Sequence, residues 1–130
     1  AFPQMKAPVE WGAGAPLGSG KQRTPWIHVV DLAGMLALAM TEPFLRGPFN
    51  AASPEHTTNE KLMRTIAQAL HKPFILPNVP SLALKAMIGE FADVLMTDLQ
   101  LDTNYIRKAG FEFQYPDVAS AVAQLRSTTA

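Results

Sequence analysis

The sequence predicts an α+β fold of short strands and about four to five helices, on three observations. Apolar residues recur at three- and four-residue spacing in several segments, runs of strand-like alternation lie between those segments, and Pro or Gly stands at nearly every change of period. At 130 residues the chain is sized for one domain with a real though modest core. No internal repeat, low-complexity run or obvious linker divides it, so residues 1–130 read as a single domain.

The element order follows from local chemistry. Gly12-Ala13-Gly14-Ala15-Pro16-Leu17-Gly18-Ser19-Gly20 is turn-rich and reads as a loop or hairpin. Trp26 to Val29 reads as a strand, and Asp31 as the N-cap of a helix in which Leu32, Met35, Leu36 and Ala39 share a face until Pro43. Gly47 to Ala52 is a second strand, placed at an edge by Pro48. Thr57-x-x-Glu60 has the form of a capping box, followed by the stripe Leu62, Ile66, Ala69 and Leu70, with the helix ending near His71. Phe74-Ile75-Leu76, fenced by Pro73, Pro77 and Pro80, is a short buried strand or an extended link. Ser81 can cap a helix carrying Leu84, Met87, Ile88, Phe91 and Leu95, whose wide apolar face asks for cover on more than one side. Thr103 to Ala109 is a short helix closed by Gly110. Phe111, Phe113 and Tyr115 then alternate with Glu112 and Gln114 as in a half-buried strand, and Pro116 opens a last helix around Val118, Ala121, Val122 and Leu125.

Composition narrows the function. Eleven Lys+Arg balance eleven Asp+Glu, so no field steers the chain toward nucleic acid or an anionic membrane surface, and neither partner is expected. Without cysteine there is no disulfide framework, thiolate nucleophile or cysteine-ligated metal, which fits a reducing compartment. Apolar runs stop short of a membrane span, and Ala1-Phe2-Pro3-Gln4-Met5-Lys6 lacks the pattern of a signal peptide. The expectation is a cytoplasmic protein, and a start without methionine suggests a fragment. The three histidines have no carboxylate spacing that suggests a metal site.

Trp26-Ile27-His28-Val29-Val30-Asp31-Leu32-Ala33 matches, position by position, a pattern of aromatic-Ile-His-Val-x-Asp-Leu-Ala. With it, in a shared order, stand Pro16-Leu17-Gly18-Ser19-Gly20, Gly47-Pro48-Phe49-Asn50, Thr58-Asn59-Glu60, Ala69-Leu70, Gly89-Glu90 and Ala109-Gly110-Phe111-x-Phe113-x-Tyr115-Pro116. Through these the chain resembles the C-terminal, substrate-side part of an extended short-chain dehydrogenase/reductase, in the NAD-dependent epimerase/dehydratase-like subfamily of nucleoside-diphosphate-sugar epimerases. The resemblance spans nearly the whole chain; each motif is weak alone, and the order makes it specific.

The resemblance implies that residues 1–130 are a C-terminal substrate-binding domain lacking the N-terminal Rossmann domain, which becomes its first expected partner. It implies NAD or NADP in the intact parent protein, an NAD(P)-dependent sugar-nucleotide epimerase or oxidoreductase, and a small-molecule or nucleotide-sugar substrate. It also implies an arginine four residues before the histidine to grip a diphosphate; that position is Thr24, with Arg23 one place earlier. The family's catalytic Tyr with a Lys four residues on has no counterpart, since Tyr105 is followed at that distance by Ala109 and Tyr115 by Ala119. Nor does Gly12-x-Gly14-x-x-x-Gly18-x-Gly20 have the spacing of a dinucleotide-binding turn. This chain alone is therefore expected to bind no cofactor and to hold no catalytic residue. The alternative is a non-catalytic ligand-sensing or oligomerisation module of the same architecture, with the helix of Leu84, Met87, Ile88 and Phe91 as a homo-oligomer surface.

The candidate substrate-binding residues are Trp11, Gly18, Arg23, Trp26 and His28. Trp11 offers a stacking face, Gly18 lets backbone approach a ligand, and Arg23 can pair with a phosphate or carboxylate. The plainer reading of the same stretch is a hairpin with a solvated basic tip. Trp26 either borders the pocket or faces the core. His28, amid apolar neighbours, reads first as a hydrogen-bonded structural histidine braced by Asp31. His56 and His71 lie at helix edges, where a solvated position or the helix dipole accounts for them.

Overall fold

A buried carboxylate organises the first helix. In the computed structural model, which describes Val9 and residues 14–129, α1 runs Val29–Thr41 and its N-cap is His28, whose Nδ1 accepts from the Val30 amide at 3.3 Å. Asp31 is not the cap. It lies one turn inside, buried, and its two oxygens accept from the backbone N–H groups of Gln114 (2.8 Å) and Tyr115 (3.0 Å). An anion there also complements the positive end of the helix. The helix stops at Glu42, ahead of Pro43.

The segment Asp31 holds shows the expected alternation, with Phe111, Phe113 and Tyr115 half-buried and Glu112 and Gln114 exposed. It joins no ladder. The other expected strands, 26–29, 47–52 and 74–76, do not form either: among the described residues β-pairing is limited to two isolated bridges, Leu17 with Val79 and Arg23 with Thr58. The strand half of the α+β expectation is thus not realised as a sheet. Strand character requires a neighbour to take the backbone hydrogen bonds, and here single contacts do so, such as Ser53 N–H to the Trp26 carbonyl at 2.7 Å. Phe74-Ile75-Leu76 takes the form of a link, with Ile75 82% exposed.

Helix α2, Asn59–Ala69, is capped by Thr58, which accepts from the Lys61 amide at 3.2 Å. The cap lies one residue past the expected Thr57, which is buried instead, and Glu60 pairs along the helix with Arg64 at 2.7 Å. Leu62, Met63, Ile66 and Ala67 form the core with Val9 and with Val118 and Val122 of the last helix, α6 (Val118–Thr129). Trp26, Ala69, Leu70 and Phe74 pack against that cluster. The Glu55 carboxylate accepts from the Val118 amide at 2.6 Å, and Asp117 from Ser120 at 2.9 Å, so two acids satisfy the open N-terminus of α6.

The single helix expected from Ser81 is two, α3 (Ser81–Ile88) and α4 (Phe91–Met96), separated at Gly89 with φ +64°. Ser81 is the first helical residue and makes no side-chain cap. Leu84 and Ala92 are buried, whereas Leu82, Met87, Phe91 and Val94 are exposed, so the expected cover on more than one side is absent among the described residues. Helix α5, Asn104–Lys108, ends as expected at Gly110, φ +90°, with Phe111 N–H returning to the Ile106 carbonyl at 3.2 Å. Between Val29 and Thr129 the described residues therefore form six helices, one of the expected set being split by this break. Among the described residues no helix is long and apolar enough to cross a membrane.

Two outcomes test these assignments. Asp31→Ala, which strands two partly buried amides, should cost about 2–3 kcal/mol in chemical denaturation, more than loss of an ordinary helix cap; a smaller loss from Asp31→Ala than from Asp31→Asn would contradict the tether. Gly20→Ala should cost more than Gly47→Ala. Both glycines have positive φ, but a Cβ on Gly20 would lie 2.8 Å from the Pro16 Cβ, while one on Gly47 meets nothing within 4 Å. Gly47→Ala should lose only the backbone penalty of about 1–2 kcal/mol, and equal melting temperatures for the two variants would refute the difference.

Candidate functional site

The segment Gln22–Pro25 is held from both sides. On one side it runs against the start of α2, with Thr24 N–H on the Thr57 carbonyl (2.9 Å) and Asn59 N–H on the Gln22 carbonyl (3.0 Å). On the other, Leu99 N–H donates to the Arg23 carbonyl (3.1 Å) and the Asp98 carboxylate accepts from Arg23 N–H (2.7 Å). Buried Gln22 completes the brace through the Leu17 carbonyl at 2.9 Å.

Between Arg23-Thr24-Pro25 and Val94, Leu95, Thr97 and Leu99, on and just after α4, lies a mainly apolar groove of about 390 Å³. Behind the same edge a cleft of about 10 Å³, lined by Ser53, Glu55, His56 and Thr57, has room for about one water. The Thr57 hydroxyl there is buried without a protein partner.

Arg23 forms the groove's polar rim. Its Nε donates to Asp98 Oδ1 at 2.8 Å and its Nη2 to Oδ2 at 2.5 Å, a two-pronged pairing, and Nη1 reaches the Gln100 side chain. Gln100 in turn meets His56 Nε2 at 3.3 Å. The hydrogen bonds from the Arg23 side chain, and then from its backbone N–H, hold the Asp98 carboxyl down at about 2.

The expected site residues do not gather in this groove. Arg23 alone lines it. Gly18 sits in an adjacent turn, φ +58°, where a Cβ would lie 3.3 Å from the Met96 side chain. Trp26 packs on the core cluster, its buried Nε1 without a partner. His28 is buried with its ring 4.1 Å from that of Tyr115; since Nδ1 accepts from Val30, Nε2 is assigned the proton it shares with Gln124 Oε1 at 3.0 Å. Trp11 lies outside the described residues. Val94, Leu95, Thr97, Asp98, Leu99 and Gln100 were not foreseen, and Asp98 stands 75 positions from Arg23, beyond any local signal.

The groove's lining offers apolar walls, the hydroxyls of Thr24 and Thr97, and the Arg23 guanidinium. The amides of Gly18 and Gly20 are already committed to the carbonyls of Val79 (3.0 Å) and Leu17 (2.9 Å), in a turn that opens no helix, so they cannot cradle a pyrophosphate.

Comparison with known proteins places the chain. Residues 79–125 match a domain of unknown function, DUF1731. The mouse epimerase family protein SDR39U1 is 33% identical over 123 residues, covering 94% of this chain and 42% of that protein. An epimerase family protein of Staphylococcus aureus is 34% identical over 127 residues, covering 98% and 42%. The crystal structure of human epimerase family protein SDR39U1 (isoform 2) with NADPH superposes with a TM-score of 0.92 at 30% identity, over 98% of this chain and 43% of that one. The chain thus spans about two fifths of the length of the relatives it matches.

The rim pairing sets a pH dependence. Because the Asp98 carboxyl is held at about 2 against an ordinary 3.8, its grip on residue 23 is present above the ordinary value and is lost as pH falls through about 2. Arg23→Ala should raise the Asp98 pKa toward the ordinary carboxylate range in a carbon-detected NMR titration. An Asp98 that still titrates at about 2 in that variant would show that Arg23 is not the cause.

Proposed function

We propose that this chain, which is similar to epimerase family proteins over about two fifths of their length, is the C-terminal substrate-binding domain of an NADP- or NAD-dependent epimerase or oxidoreductase of the extended short-chain dehydrogenase/reductase type. The observation that carries this reading is the likeness, over nearly the whole chain, to a protein solved with NADPH of which the chain spans less than half. In this reading the parent's remaining length forms the dinucleotide-binding domain, which supplies the hydride chemistry of the nicotinamide. The present chain supplies binding and orientation: the edge Arg23-Thr24-Pro25 and the wall from Val94 to Leu99 receive a carbonyl or hydroxyl substrate. Gly18 supports that edge from the turn, and Trp26 and His28 fix it to the core. A cytoplasmic location belongs to the same proposal.

Apolar exposure supports a missing partner. Val29, Leu36, Met40 and Phe44, on and just after α1, are all more than half exposed, Met40 by 86%. Covering such side chains is favourable by roughly 25 cal/mol per Å², and the proposed cofactor domain covers them. A second reading, a homo-oligomerisation module, is favoured by one observation, the exposure of Leu82 and Met87 on α3 and Phe91 on α4; the mass in solution separates a dimer from a monomer.

Calorimetric titration with NADPH tests the main reading. The longer parent should bind saturably, and this chain alone should not. Saturable binding by this chain, or none by the parent, would remove the proposal.

A further inference from the structure

We infer that the groove takes an uncharged, largely apolar carbonyl or hydroxyl compound and not a nucleotide diphosphate, an inference that rests on the substrate-binding reading above and names its substrate class. The lining contains one charged side chain, Arg23. Both prongs of its guanidinium are spent on Asp98, and the remaining nitrogen on Gln100. The rim is therefore an internally neutral pair.

A diphosphate would have to displace Asp98 and then lie against the carboxylate it displaced, like charge against like charge. Asp98 is not free to leave. Its Oδ1 also accepts from the Arg23 backbone N–H at 2.7 Å, and the next residue, Leu99, is pinned to the Arg23 carbonyl at 3.1 Å. Lys61 and Lys85 are likewise engaged, with Glu55 at 2.5 Å and with Asp93 at 2.8 Å.

What remains suits an uncharged ligand. Pro25, Val94, Leu95 and Leu99 provide apolar walls, and Thr24 and Thr97 provide hydroxyls. The Thr97 hydroxyl donates to the Asp93 carbonyl at 2.8 Å, which leaves its oxygen as an acceptor for a ligand hydroxyl. A volume of about 390 Å³ lies at the small end of small-molecule sites. Arg23 then acts as a specificity residue through its partner, since Asp98 denies it to anions.

The experiment uses the longer parent protein with NADPH, saturation-transfer NMR, and two probes, acetophenone and UDP-glucose. Acetophenone should receive saturation in the wild type and lose it in Val94→Trp, which fills the groove; UDP-glucose should receive none. Asp98→Asn, a substitution at an exposed pair, should leave the fold intact and raise affinity for UDP-glucose by about tenfold by releasing Arg23. Wild-type binding of UDP-glucose that is lost in Arg23→Ala overturns the inference, and so does binding of neither probe. NADPH binding is followed in the same samples. Its absence would remove the enzyme reading, whereas the contrast between the two probes decides the substrate class independently.

Discussion

The buried carboxylate of Asp31 is the constraint on which much of this chain depends. A carboxylate out of water is costly unless its oxygens are hydrogen-bonded, and here they hold two amides 83 and 84 positions further along. The tether brings Phe111 close enough to α1 that a Cβ on Gly34 would lie 3.2 Å from its ring. It also sets Tyr115 against the ring of His28, whose other nitrogen reaches Gln124 of α6. One acid thus joins the first helix to the last through a segment with no ladder of its own.

The same solution recurs elsewhere in the chain. The Leu17 amide is taken by the Asn59 side chain at 2.8 Å, the Arg23 amide by Asp98, and the Val118 amide by Glu55. Backbone groups must be satisfied, and among the described residues side chains from distant positions do much of what neighbouring strands would do. The groove is a consequence of this arrangement. Its Arg23–Pro25 edge is fixed between α2 and residues 98–99, while its opposite wall belongs to α4, whose Ala92 is buried, and to the residues just after it. The fixed edge sets the polar rim, and the helix wall sets the apolar shape.

The likeness to epimerase family proteins fits a division of labour within a longer chain. Phosphate-binding chemistry needs free amides at a helix start, and the Gly18 and Gly20 amides here are spent on the carbonyls of Val79 and Leu17. Substrate selection needs only a shaped wall and a few placed polar groups, and those are present between Arg23 and Leu99.

Much of the helical framework was legible in the sequence, because 3.6-residue periodicity and end signals act over a few residues. The α2 stripe at Leu62 and Ile66, the stop at Gly110 and the inward face Val118, Ala121 and Val122 all lie where those signals put them. The motif order also pointed to the likeness with epimerase family proteins, and the zero net charge was plain from composition. What only the tertiary structure decided was every question of partnership. Whether alternating residues at 111–115 become a strand depends on a neighbour, and their neighbour proved to be a carboxylate. Asp31 does not cap α1 because both its oxygens are taken by the distant amides of Gln114 and Tyr115, and the cap falls to His28 Nδ1. Whether Arg23 is free to grip an anion depends on Asp98, which lies 75 positions away in sequence and 2.5 Å away in space. Local pattern specifies what a residue can do, and the fold decides what is left for it to do.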